Sequence, residues 1–309
     1  MKTVFIDGSA GTTGLRIRER LALRNDISLL VLPEELRKDT AARKEALNAA
    51  DIAFLCLPDA AAMEAVSLID NESTAVIDTS TAHRTNSSWV YGMPELAGKR
   101  EQIAASKRIA NPGCHASGFI ALVAPLVAAG VLSADVALTA FSITGYSGGG
   151  KNMIAAYGDP SRDLLLGAPR QYGLSQSHKH LPEMQALCGL DTAPLFSPIV
   201  ADYYAGMEVT VPLFATDVKG GIDAIRAVYR AVYGTGMIRF AESDEESGFL
   251  SAVAFAGRDD MEVRVQGNDA RILLISRFDN LGKGASGAAI QNMNILLGVP
   301  ETTGLVTGG

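Results

Sequence analysis

The chain has 309 residues, of which 48% are hydrophobic and 20% charged, and its formal net charge is −7. That apolar content is enough for large cores, and the length suggests two domains. The acidic balance argues against nucleic-acid binding, and no apolar run approaches the roughly 18 residues of a membrane span.

Cys56, Cys114 and Cys188 are odd in number and far apart. They read as reduced thiols in a cytoplasm rather than a disulfide framework. No spacing resembles a zinc site, so no metal is expected. The first residues, Met1–Asp7, read as a strand and not as a signal peptide.

Thr3–Asp7 is an apolar strand, followed by Gly8-Ser9-Ala10-Gly11-Thr12-Thr13-Gly14 and then by helical spacing over Leu15–Leu21. A glycine loop between strand and helix is the context of a dinucleotide site, although the pattern is G-x-x-G-x-x-G rather than G-x-G-x-x-G. The glycines would let a pyrophosphate approach the helix N-terminus. A second strand, Ser28–Leu32, leads into Pro33-Glu34-Glu35-Leu36-Arg37-Lys38. An acidic residue here favours a free ribose 2′-OH, and a basic one a 2′-phosphate. Glu34 and Arg37-Lys38 point in opposite directions, so these residues leave NAD and NADP open.

Ile52–Leu57 is apolar throughout, as a parallel strand buried on both faces should be, with Cys56 in the core. Ala60–Ile69 reads as a helix, Thr74–Asp78 as a fourth strand and Lys107–Asn111 as the last. This β–α alternation predicts an α/β fold with a Rossmann-type doubly wound parallel sheet. Thr79–Arg84 then falls at the carboxyl edge, where ligands bind, and Arg84 could hold a phosphate bidentately.

Asn111-Pro112-Gly113-Cys114 opens an apolar run that lasts to Gly130. The Pro-Gly turn places Cys114 in the first turn of a helix. The helix dipole there favours a thiolate, and free N–H groups could hold an oxyanion.

Val136–Thr144 reads as a strand and Gly145–Lys151 as a loop. His178-Lys179-His180-Leu181-Pro182-Glu183 begins a short helix, with Pro182 suited to its first turn. His178 and His180 lack a third metal ligand and read better as a general acid/base pair. They could face the Cys114 thiol across a cleft. His115 directly follows Cys114, and adjacent side chains point apart, which places it poorly. The strands Leu195–Tyr203, Met207–Leu213, Met261–Val265 and Arg271–Phe278, with a helix over Gly221–Tyr233, predict a second, α+β domain of mixed or antiparallel sheet. Phe278–Gly287 is a second glycine-rich loop and runs into a final helix, Ala288–Leu297.

With Gly8–Gly14, Ser80-Thr81-Ala82-His83-Arg84, Asn111–Cys114, His178–Glu183 and Asp279–Gly287 together and in this order, the whole chain resembles the shorter N-acetyl-gamma-glutamyl-phosphate reductases. It is more distantly similar to aspartate-semialdehyde dehydrogenases. The resemblance implies an NADP-binding Rossmann domain over 1–113, completed by the C-terminal helix region 284–309. It implies a catalytic and oligomerisation domain over 114–283, and hence a homo-oligomer, dimer or tetramer. The implied reaction is NADPH-dependent reduction of a small-molecule acyl phosphate, N-acetyl-L-glutamyl 5-phosphate, to the 5-semialdehyde and phosphate, in cytoplasmic arginine biosynthesis.

By the same resemblance Cys114 is the nucleophile. His178 and His180 supply acid/base and phosphate contacts, with His180 favoured as the base. Arg84, Ser147, Gly148 and Lys151 would meet substrate. The cofactor would be held by Gly8, Ser9, Ala10, Gly11, Thr12, Thr13, Gly14, Arg37, Lys38, Ser80, Asn280, Gly282 and Gly284. The loop Gly282–Gly287 would let the cofactor approach the backbone closely, and Lys283 would join Arg84 and Lys151 in attracting an anionic substrate. The alternative is an aspartate-semialdehyde dehydrogenase-like reductase of another acyl phosphate, with the loops Tyr91–Glu95 and Tyr146–Lys151 setting substrate size.

Overall fold

In the computed structural model, which describes residues 1–242 and 246–308, the apolar runs become strands and the chain divides into two units. One is Met1–Pro112 with Ala285–Leu305; the other is Gly113–Gly284 with the residues from Val306.

The first unit runs β1 (Lys2–Asp7), α1 (Thr12–Leu21), β2 (Ile27–Leu30), α2 (Thr40–Ala49), β3 (Ile52–Leu55), α3 (Asp59–Ser67), β4 (Ala75–Asp78), β5 (Val90–Tyr91), α4 (Lys99–Ala105) and β6 (Arg108–Ala110). The strands form one parallel sheet in the order β2-β1-β3-β4-β6-β5. Alternate side chains feed opposite faces. Val4, Ile6, Phe54 and Ile77 pack with Ile17 and Leu21 of α1. Phe5, Ala53, Leu55 and Val76 pack with Ala46 and Leu47 of α2 and with Ala62 and Ala65 of α3. This is the expected doubly wound sheet. Strand order reverses between β1 and β3, which makes the crevice beyond their carboxyl ends the ligand position.

The second unit runs α5 (Cys114–Ala128), β7 (Thr139–Gly145), α6 (Gly150–Gly158), β8 (Arg170–Gln171), α7 (Leu181–Cys188), β9 (Leu195–Ala201), β10 (Met207–Phe214), α8 (Gly221–Val232), β11 (Ile238–Phe240), β12 (Met261–Gly267) and β13 (Arg271–Phe278). Its sheet has the order β11-β12-β13-β10-β7-β9-β8. β7 pairs parallel with β9 and β11 with β12; the other neighbours are antiparallel. The mixed sheet of an α+β unit is therefore present.

Helix α5 lies on β10 and β13, and a Cβ at Gly118 would come within 2.6 Å of the Val209 side chain. Pro125 sits inside this helix and has no N–H for the Ala121 carbonyl. The Tyr233 hydroxyl donates to that carbonyl at 2.7 Å, and Tyr229 donates to Leu122 O at 2.5 Å. The helix therefore passes its proline without leaving a buried acceptor unpaired.

The last helix, α9 (Gly287–Leu297), belongs to the first unit, where Ala289, Ile290 and Met293 join the core. Val306 belongs to the second: its N–H donates to Asp259 Oδ2 and its carbonyl accepts from Asp259 N. Among the described residues no helix is long and apolar enough to cross a membrane.

Several elements differ from expectation. β7 starts at Thr139, not Val136, and α2, α4 and α6 occupy segments in which no helix was predicted.

Candidate active site

In the first unit, Gly8 takes φ +85° and its carbonyl accepts from Gly11 N at 3.0 Å. A Cβ at Gly8 would lie 2.3 Å from Cys56 O, and one at Gly14 would lie 2.5 Å from Gly8 O. The loop's own packing thus demands both glycines. At Gly11 a Cβ would meet no protein atom nearer than 3.5 Å, so a methyl fits there without a clash. Gly11 caps α1 without a side-chain hydrogen bond, and the first turn holds no acidic residue. The N–H groups and positive end of the helix therefore face the loop without a competing anion.

Gly8, Ser9 and Ala10 border a cavity of about 660 Å³ that is also lined by Glu34, Glu35, Arg37 and Lys38. Both signs of charge that left the cofactor undecided share this cavity. Arg37 Nε is buried and has no hydrogen-bond partner among the described residues, a donor that an added anion would satisfy. The residues present fit a phosphorylated dinucleotide.

Asp7 and Arg43 also line the cavity and were not anticipated. Arg43 donates from Nε to Asp7 Oδ2 at 3.1 Å and from Nη1 to Glu64 Oε2 at 3.0 Å. Burial pushes the Asp7 carboxyl up against the pull of Arg43. The available signal was an arginine in the buried stripe of α2, at 43, 46 and 47.

At the end of β4, Asp78 is fully buried and takes Ser80 N at 2.9 Å, Ser80 Oγ at 2.7 Å and His83 Nδ1 at 2.6 Å. His83 stacks on Trp89 with centroids 4.0 Å apart. Ser80, expected at the cofactor, thus has its hydroxyl proton committed to Asp78. Arg84 is buried and donates from Nε to Asn111 O and from Nη2 to Thr79 O, both at 2.9 Å. The Nε–Nη2 fork that the sequence suggested for phosphate is therefore engaged with backbone carbonyls.

The second unit holds Cys114, His115, His178 and His180 together, so the histidine pair needs no cleft between domains to lie near the thiol. Cys114 is the first residue of α5, and Gly113 caps that helix with no side-chain hydrogen bond. The Gly113 N–H donates to Glu183 Oε2 at 3.2 Å. Cys114 is partly exposed. Cys188 is buried, and Cys56, like Cys114, is partly exposed as a residue; burial of the sulfur nonetheless pushes Cys56 up to about 12 and raises Cys188 strongly as well.

His115 points away into the unit, hydrogen-bonded at 2.6 Å to Ser142 Oγ through Nδ1 and at 2.6 Å to the Tyr172 hydroxyl through Nε2. Burial, with His178 and Lys179 nearby, pushes it down to about 3, so it is neutral near pH 7. His178 is pushed to about 4, first by burial and then by Lys179. Its Nδ1 accepts the His180 N–H at 3.2 Å, which leaves Nε2–H as a neutral donor. His180 is buried at the start of α7, with Nε2 3.9 Å from Glu183 Oε1. The rings of His115, His178 and His180 lie 4.7–5.6 Å apart. Tyr172 and Glu183 were not expected site residues; Glu183 lay within a quoted motif and Tyr172 carried no signal.

Other expected positions have internal reasons to exist. Asn280 is buried, donates from Nδ2 to Ser147 Oγ at 2.9 Å and accepts Gly206 N at 3.0 Å. Its amide clasps two loops, and both ends are committed. Gly148 lies against that clasp, 3.4 Å from Asn280 Nδ2 for an added Cβ. A Cβ at Gly282 would meet Arg258 O at 1.9 Å, and one at Gly284 would meet the Cys114 Cβ at 3.0 Å. These two glycines admit the protein's own atoms, where cofactor approach had been expected. Lys151 is exposed in the first turn of α6, whereas Lys283 is buried and is no surface attractor. Among the described residues no group of three or more His, Cys, Asp and Glu could hold a metal ion.

A family model described as semialdehyde dehydrogenase, dimerisation domain, matches residues 114–280, and one described as semialdehyde dehydrogenase, NAD binding domain, matches residues 25–106. The chain is 47% identical to N-acetyl-gamma-glutamyl-phosphate reductase of Brucella anthropi, over 96% of this chain and 98% of that one. It is 44% identical to N-acetyl-gamma-glutamyl-phosphate reductase 2 of Nostoc sp., over 98% of each. Among solved structures, aspartate semialdehyde dehydrogenase II of Vibrio cholerae, complexed with ASA, superposes with a TM-score of 0.70 at 16% identity, over 96% of this chain and 98% of that one. The Candida albicans aspartate semialdehyde dehydrogenase, solved with NADP, superposes at 0.65 and 13%, over 95% and 98%. These two share the fold. Near-full-length identity of 44–47% goes further, and the chain belongs to the N-acetyl-gamma-glutamyl-phosphate reductase family of the semialdehyde dehydrogenases.

Proposed function

We propose that this chain reduces N-acetyl-L-glutamyl 5-phosphate to N-acetyl-L-glutamate 5-semialdehyde and phosphate with NADPH, as a step of arginine biosynthesis. The observation that supports this most is a partly exposed cysteine at the glycine-capped N-terminus of α5, in the same unit as a buried His–Glu couple. Cys114 loses its proton to His180 and attacks the acyl carbon. The carbon–oxygen bond to phosphate breaks, phosphate leaves, and a thioester forms. Backbone N–H groups at the α5 N-terminus stabilise the developing oxyanion by a few kcal/mol. NADPH, when bound, supplies the hydride that takes the thioester to the aldehyde level. The carbon–sulfur bond then breaks, and His180 manages the proton. His178 meets a phosphate or substrate oxygen as a neutral Nε2–H donor, and Arg84 contributes a fixed positive charge to phosphate binding.

In this reading the first unit holds NADP through Gly8–Gly14, Arg37 and Lys38, and the second performs the chemistry and self-association. Ser147, Gly148 and Lys151 remain substrate candidates at the start of α6. A homodimer or a tetramer in the cytoplasm is the proposed setting; the family description of residues 114–280 supports self-association. The test is phosphate-dependent NADP reduction with N-acetylglutamate semialdehyde and aspartate semialdehyde in parallel. Preference for the second substrate would replace this reading with the aspartate-semialdehyde one.

A further inference from the structure

Glu183 is 1% exposed, in the first turn of α7. A carboxylate so deeply buried requires partners, because desolvation penalises its charge. Its two oxygens are directed to different parts of the site. Oε2 accepts the N–H of Gly113, the residue that caps α5 and precedes Cys114. Oε1 lies 3.9 Å from His180 Nε2, an electrostatic rather than a hydrogen-bonded approach. We propose that Glu183 is the positioning residue of this site: one buried carboxylate ties the turn that carries Cys114 to the imidazole of His180.

This inference rests on the proposed roles of Cys114 and His180. It gives a physical reason why His180, not its neighbours, acts as the base. The groups around His180 are His115 from α5, His178 and Lys179 from its own segment, Tyr172 beyond His178, and Glu183, with Cys114 placed one residue before His115 and acting on Tyr172. His115 and His178 resist protonation, as described above. Glu183 is the carboxylate in this set, so a proton taken from Cys114 is best held on His180. A carboxylate behind an imidazole fixes its orientation and stabilises the imidazolium formed during the reaction. The same charge, acting alone, would disfavour a thiolate at Cys114. The Gly113 contact limits this effect, because the backbone N–H partly neutralises the oxygen facing the nucleophile.

Two substitutions separate the functions. Glu183→Gln keeps an oxygen for Gly113 N–H and removes the charge behind His180. Glu183→Ala removes both. For folded Glu183→Gln, kcat should fall about ten- to a hundredfold. The Michaelis constant for NADPH should stay unchanged, and the acidic limb of kcat/KM should move to lower pH. Glu183→Ala should lose more than Glu183→Gln, and iodoacetamide should alkylate its Cys114 with an altered rate and pH dependence. Melting temperature and NADPH binding control for folding, and Glu183→Gln carries the test if Glu183→Ala does not fold. Both variants showing wild-type kcat, or a reduced kcat with an unmoved acidic limb, would overturn the assignment. Cys114→Ser is assayed alongside. If it retains full turnover, the covalent reading fails and this inference falls with it; if it is inactive while the Glu183 variants are unaffected, only the inference falls.

Discussion

The molecule contains two strand-to-helix turns of the same electrical design and opposite use. At Gly11–Thr12 and at Gly113–Cys114 a glycine caps a helix without a side-chain hydrogen bond, and neither first turn carries an acidic residue. Both helix starts therefore present a positive dipole end that no capping side chain covers. The first borders a cavity of about 660 Å³ and places threonine at the first helical position. The second is closely packed on one side, where a Cβ added at Gly284 would lie 3.0 Å from the Cys114 Cβ and Glu183 accepts the capping N–H. An open helix start suits a diffuse anion such as a pyrophosphate. A crowded one with a thiol suits a single localised charge. The surroundings, rather than the dipole, separate binding from chemistry.

The sharpest way to break this comparison is Cys114→Ser. Turnover should fall about a thousandfold or more, while cofactor binding and melting temperature stay near wild type. Iodoacetamide should label Cys114 well before Cys56 and Cys188, whose thiols burial keeps protonated. Full activity in the serine variant would make the second turn merely structural.

Next in size is a contrast within the first turn. Gly8→Ala places a Cβ against Cys56 O at φ +85° and should destabilise the first unit by several kcal/mol, or abolish folding. Gly11→Ala makes only ordinary van der Waals contacts, 3.5 Å to Gly8 O and 3.9 Å to Cys56 O, so its melting temperature should hold within about 2 °C. Its affinity for NADPH should fall about tenfold because a ligand would crowd the methyl. Calorimetry and fluorescence titration of the pair would show whether the Gly11 side of the loop receives the cofactor.

What the sequence revealed depended on the kind of signal. Fully apolar strands such as Ile52–Leu55 read directly, because burial on both faces leaves no polar alternation to misread. Helix α2 escaped because its buried stripe contains Arg43, whose charge is answered by Asp7, 36 residues away. No local pattern carries such a pairing. Cys114 was legible from its Pro-Gly turn, yet the polarity of its surroundings was not. His115 is held by Ser142 and Tyr172, and Glu183 reaches back 70 residues to Gly113. Asn280 carries a second use that its motif did not show: its amide stitches Gly206 to Ser147.

The histidine cluster makes the second turn acid-sensitive. In the unfolded chain both His115 and His178 titrate near 6.5, and in the folded chain they are pushed to about 3 and about 4. Between these values the unfolded state binds more protons, so stability falls as pH drops from 6.5 towards 4. The loss should be on the order of a few kcal/mol. Asp7 and Glu208, raised by burial, act in the opposite sense. His178→Gln should therefore flatten the decline, measured as urea midpoints at pH 7 and pH 5. An equal decline in the variant would place the acid sensitivity outside this cluster.

The smallest expected effect decides what the open turn reads. Glu34 and Glu35 share the cavity with Arg37 and Lys38, so carboxylates that would accept a ribose hydroxyl face cations that would hold a 2′-phosphate. Arg43 is a weaker arbiter: its Nη2 also lacks a hydrogen bond among the described residues, but its charge is already answered by the carboxylates of Asp7 and Glu64. Arg37 can arbitrate: its buried Nε lacks a hydrogen-bond partner among the described residues, and an unpaired buried donor is unfavourable until an acceptor arrives. A 2′-phosphate supplies that acceptor and a charge for Lys38; a bare 2′-OH supplies no anion. Replacing Arg37 and Lys38 together with alanine should raise the Michaelis constant for NADPH about tenfold, equivalent to roughly 1.4 kcal/mol. The constant for NADH should barely move. Steady-state kinetics with both cofactors on both enzymes would check this. If the unaltered enzyme already prefers NADH, Glu34 outweighs the two cations, and the first turn reads a hydroxyl instead of a phosphate.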